Sequence, residues 1–121
     1  MQFLLLIYGV ERDYTSLSEA ELGGLGQAYG AFTKSIIDSG KYVGGHQLQR
    51  IGTARTVRVR NGKQVVTDGP FAETKEQLGG YYMVNAKDID EAVAIAARIP
   101  GAKTGSVEVR PIVVMEQARP A

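Results

Sequence analysis

The chain has no cysteine and no tryptophan, and a single histidine, His46, among its 121 residues. The missing cysteines exclude disulfides, thiolate nucleophiles and cysteine metal sites together. They fit a reducing compartment, and the cytoplasm is the expected location. An excess of either charge is also missing. Lys+Arg 14 against Asp+Glu 13 leaves a net charge of +1, so the chain exerts no long-range pull on nucleic acid or an acidic membrane surface. Neither is an expected partner.

Long hydrophobic runs are absent as well. The opening stretch 1–8 is apolar, but no basic segment precedes it and Gly9, Glu11, Arg12 and Asp13 stop it, far short of the ~20 residues a membrane span needs. It reads as a buried strand. No internal repeat, linker, phosphate-binding glycine loop, serine-nucleophile motif or RNA-binding aromatic signature occurs. One histidine and scattered carboxylates do not make a ligand cluster of recognisable spacing, so neither a metal nor a cofactor is expected.

What is present is the composition of an ordinary globular protein, 44% apolar and 22% charged, with enough chain for one domain over 1–121 and a core without staples. Phe3, Leu5 and Ile7 alternate with Leu4, Leu6 and Tyr8, so both faces of the first strand are apolar and need cover. Glu11 to Thr15 reads as a loop. Ser16 or Ser18, each with a glutamate three residues on, can cap a helix whose stripe is Leu22, Leu25, Tyr29, Phe32 and Ile36 and whose stop is Gly40. Gly23, Gly24, Gly26 and Gly30 each cost that helix about 1 kcal/mol against alanine, so packing must hold it or it begins further along the chain.

Lys41 to Gln49 predicts a strand with Tyr42, Gly44, His46 and Leu48 on one side. Asn61-Gly62 between Thr56–Arg60 and Gln64–Thr67 is a hairpin signal. Gly80 to Ala86 predicts a strand, Asp88 with Glu91 caps a helix with Ile89, Ala92, Val93, Ala96 and Ile99 on its stripe, and Pro100-Gly101 ends it. Val107, Val109 and Val113 to Met115 predict a long last strand that Pro111 makes an edge. Gln117 to Ala121 reads as a frayed tail. This order is an α+β, ferredoxin-like βαββαβ plan with an added hairpin. Two helices cover one sheet face, so a homodimer is expected to cover the other.

The densest polar chemistry lies at 67–82, where Asp68-Gly69-Pro70 predicts a tight turn. Asp68 and His46 are the candidate acid/base pair, because imidazole exchanges protons near neutral pH and a carboxylate orients it. Glu73 and Lys75 are candidates for a second acid and an anion contact, set against a solvated helix start. Tyr42 and Tyr81 are candidates to wall a ligand pocket, set against simple core packing.

The run Asp68-Gly69-Pro70-Phe71 followed by Ala72-Glu73-Thr74-Lys75-Glu76-Gln77-Leu78-Gly79-Gly80-Tyr81-Tyr82 resembles the YCII-related family, in the branch of DGPF-domain proteins. So do the opening Phe3 to Tyr8, Gly40-Lys41-Tyr42-Val43-Gly44-Gly45, Thr56-Val57-Arg58, and Gly105 to Pro111. The resemblance covers nearly the whole chain. It implies a subunit of the dimeric α/β barrel superfamily whose biochemical role is undefined. Some members are similar to small enzymes of lyase or isomerase type, and DGPF proteins are often associated with extracytoplasmic-function sigma factors. Other relatives have a proposed histidine and aspartate pair with the histidine near the start of the first helix. The corresponding region here, 22–29, has no histidine, so that half of the pair does not carry over. Three readings remain: a small-molecule enzyme acting by proton transfer, a ligand-binding or regulatory module without turnover, and a purely structural dimer.

Overall fold

In the computed structural model, which describes residues 1–115, six strands and three α-helices follow the order β1 (Gln2–Gly9), α1 (Glu11–Thr15), α2 (Glu19–Asp38), β2 (Tyr42–Gln47), β3 (Arg55–Arg60), β4 (Lys63–Asp68), β5 (Gln77–Asn85), α3 (Ile89–Ala96) and β6 (Ser106–Pro111). The expected tail at 117–121 lies outside the described residues. Strands β2, β5, β1 and β6 form, in that order, one antiparallel sheet, and β3 and β4 form a separate two-stranded sheet. This is the ferredoxin-like α+β plan with its added hairpin.

Period two along β1 decides where the core lies. Phe3, Leu5 and Ile7 are buried, while Leu4, Leu6 and Tyr8 on the opposite side are half-buried. The buried set packs with Phe32 and Ile36 of α2, Ala92, Ile95 and Ala96 of α3, and Val84 and Ile99. Both long helices therefore lie on one face. Tyr82 of β5 joins the two layers, edge-on to Phe32 with ring centroids 5.1 Å apart and hydroxyl-bonded to Thr33 at 2.6 Å.

Of the two candidate caps, Ser18 begins α2. Its hydroxyl accepts from the Glu21 amide at 3.1 Å while the Glu21 carboxylate accepts from the Ser18 amide at 2.9 Å, and the second of these bonds holds the Glu21 carboxyl below its ordinary pKa. Asp88 caps α3 by accepting from the Glu91 amide at 2.9 Å.

Three expectations change. The polar stretch from Glu11 to Thr15 is a helical turn rather than a loop; at five residues it is too short for apolar periodicity to show. The last strand ends at Pro111, and Val113, Val114 and Met115 are exposed beyond it, since its ladder partner β1 begins at Gln2, which takes the Ile112 amide. Within β2, Tyr42 pairs with Val84 and Gly44 with Met83, leaving Val43 as an extra residue in a bulge. Tyr42 thus turns to the helix side, 6.4 Å edge-on from Tyr82, and His46 to the other. Strict alternation had put them together.

Tyr29 of α2 stands under the turn after α3, its hydroxyl accepting from the Gly101 amide at 3.1 Å. Burial, helped by the nearby Tyr14, pushes its pKa from 10.0 up to about 12. The folded state therefore keeps a proton that the unfolded chain releases. Stability from this group is complete below pH 10 and is lost as pH rises towards 12. In urea titrations across that window, the loss is expected to be shallower for Tyr29→Phe than for the parent; identical slopes would contradict it.

Candidate functional site

The sheet face away from the helices carries the chemistry. Register fixes a row across it: His46 on β2 opposite Tyr81 on β5, Tyr81 opposite Leu6 on β1, and Leu6 opposite Glu108 on β6. The next row runs Gly44, Met83, Leu4 and Arg110. Within the first row the His46 Nδ1 lies 2.7 Å from the Tyr81 hydroxyl, with the rings 5.7 Å apart and tilted. His46 is exposed and its Nε2 has no partner among the described residues. Glu108 binds Arg110 through two guanidinium nitrogens, the Nε at 2.9 Å. With strands about 4.8 Å apart, Tyr81 and Glu108 stand about 10 Å from each other at the backbone, with Leu6 on the strand between them. Glycine lets the backbones of β2 and β5 approach closely on the helix side. A Cβ on Gly45 would meet the Tyr81 carbonyl oxygen at 2.8 Å, and one on Gly80 the His46 carbonyl oxygen at 2.9 Å.

The other sequence candidates are dispersed. Asp68 ends β4 with its carboxylate 3.1 Å from the Arg55 guanidinium and its side chain 86% exposed; its partner is Arg55, and that of His46 is Tyr81. The following Gly69, at φ +89, donates from its amide to the Ala54 carbonyl at 2.8 Å and accepts from the Thr56 hydroxyl at 2.8 Å, buckling the base of the hairpin. Glu73 is exposed in irregular chain, so no helix starts there. Lys75 lines a separate cleft with Arg12 and Gln77. Tyr42 belongs to the core side. Glu108 and Arg110 were not singled out from sequence; their alternation with Val107 and Val109 was the available signal, and it reads equally well as a solvated edge. Among the described residues no three carboxylate or imidazole side chains converge as metal ligands, and no helix is long and apolar enough to cross a membrane.

The sequence profile of the YCII-related domain matches residues 1–116. The chain belongs to the YCII-related family. An uncharacterized protein of Rhizobium meliloti (strain 1021) is 35% identical over 114 residues, spanning 93% of this chain and 92% of that protein. In this YCII-related chain the open sheet face carries the His46–Tyr81 pair.

Proposed function

We propose that this YCII-related protein, of the DGPF branch, is a cytoplasmic small-molecule enzyme of lyase or isomerase type whose proton-transfer pair is His46 and Tyr81. The observation that carries this reading is the 2.7 Å hydrogen bond between His46 Nδ1 and the Tyr81 hydroxyl, on the sheet face that no helix covers. Tyr81 orients the imidazole, and the free Nε2 takes a proton from carbon next to a carbonyl. The phenol supplies a hydrogen bond to the oxygen where charge develops. Glu108 bounds the far side.

A homodimer completes the chamber. Leu4, Leu6, Tyr8 and Met83 give the open face an apolar surface, and the matching face of a second copy is its natural cover. Asp68 joins the pair in this reading only from the second copy.

The test measures deuterium uptake next to the carbonyl in a panel of small oxo acids. His46→Ala is expected to lower the rate at least about 100-fold, and Tyr81→Phe by about tenfold or more. Uptake that survives both substitutions would refute the assignment. In sedimentation, the parent is expected as a dimer at micromolar concentration and Leu6→Glu as a folded monomer; a monomeric parent would remove the chamber.

The second reading is a ligand-binding or regulatory module, linked to an extracytoplasmic-function sigma factor system. It is favoured by the absence, among the described residues, of a carboxylate from the contacts of His46. A ligand that raises the melting temperature without any exchange would select it.

A further inference from the structure

We propose that the cleft between α1, the turn at Ile51–Thr53 and the start of β5 is a second binding site, for a small carboxylate bearing a hydroxyl or amine beside its acid group. It stands independently of the His46–Tyr81 reading.

The cleft has a volume of about 570 Å³, within the range of small-molecule sites. Its walls come from three separate stretches of chain and are stitched by polar bonds. The Glu11 carboxylate accepts from the Ile51 amide at 2.7 Å, the Glu11 amide donates to Gln77 Oε1 at 3.1 Å, and Gln77 Nε2 donates to the Thr74 carbonyl at 2.8 Å. The glutamine amide is thereby used on both sides as a brace, which holds the shape open before any ligand comes.

Arg12 and Lys75 line the cleft, and neither enters any ion pair among the described residues. A guanidinium and an ammonium facing one space, with no carboxylate of their own, suit an incoming anion. The one acid in the lining, Glu11, spends its Oε2 on the Ile51 amide, and its Oε1 makes no hydrogen bond among the described residues. That oxygen is an acceptor for a donor on the same ligand, and its charge disfavours a doubly charged phosphate. Val10 and Ile51 add an apolar wall for a short carbon chain. Two cations, one acceptor and an apolar wall together describe a hydroxy or amino acid better than a simple anion.

The experiment is a titration of the full chain, ¹⁵N-labelled, with L-malate, succinate and inorganic phosphate, read from amide shifts. Malate is expected to give saturable shifts at Glu11 to Thr15, Ile51 and Lys75 to Gln77, binding at least about threefold tighter than succinate, which lacks only the hydroxyl. Arg12→Gln and Lys75→Gln are each expected to weaken malate by about tenfold, both being surface changes whose fold circular dichroism verifies. His46→Ala is expected to leave malate binding unchanged, so this site and the proton-transfer pair stand or fall separately. Any of three results would overturn it: no saturable malate shifts at those amides, equal affinity in the Arg12→Gln/Lys75→Gln double variant, or phosphate or succinate binding as tightly as malate.

Discussion

Replacing Gly23, Gly24, Gly26 and Gly30 together with alanine is expected to raise the unfolding free energy by about 2–4 kcal/mol, and the melting temperature by on the order of 10 °C. All four lie inside α2. A Cβ at any of them would meet no atom within 4 Å beyond the helix's own backbone. None has the positive φ that only glycine adopts cheaply; those positions are Gly40, Gly62 and Gly69. Each alanine therefore removes unfolded-state freedom and adds no clash. Stability unchanged or lowered in the quadruple variant, by chemical denaturation, would contradict the open space beside these four glycines.

The opposite sign is expected at Ile36. Its side chain is fully buried between α2 and the sheet, and truncation to alanine is expected to cost about 2–5 kcal/mol through lost transfer energy plus an unfilled cavity. Against a total stability of about 5–15 kcal/mol for such a domain, that brings the protein close to unfolding. The neighbouring Ile37 is 52% exposed, so Ile37→Ala is expected to stay within about 0.5 kcal/mol. A cost at Ile36 no larger than at Ile37, from paired urea titrations, would contradict the packing described here.

These two residues show why much of the fold is legible in sequence. Ile36 falls on a three-and-four spaced stripe, and the helix turns that spacing directly into burial. The capping serine and glutamate, the Asn61-Gly62 hairpin and the double-sided apolar pattern of β1 work in the same way, because each is a local rule obeyed locally. The same directness fails at the helix glycines: sequence demanded packing to hold the helix there, and the structure shows open space beside each one.

The candidate site was less legible because it depends on register between strands distant in the chain. His46 and Tyr81 are 35 residues apart, and only the β2–β5 pairing places them together. Asp68 was tied to His46 on chemical type alone, and its carboxylate instead holds Arg55 at the foot of the hairpin. Glu108 and Arg110 look in sequence like the wet side of an edge strand. Only the strand order reveals that they share a face with the histidine.

The extra residue at Val43 acts as a phase shifter for the whole strand. Tyr42 and His46 sit an even number of positions apart, which in a regular ribbon would commit both to the same environment. The kink lets one serve the greasy interior and the other the reactive exterior. Excising Val43 would straighten the ribbon with both rings still where they belong, whereas adding one residue between Gly45 and His46 would swing the imidazole beneath the helices. The chemistry of this surface is thus tuned by counting residues as much as by choosing them.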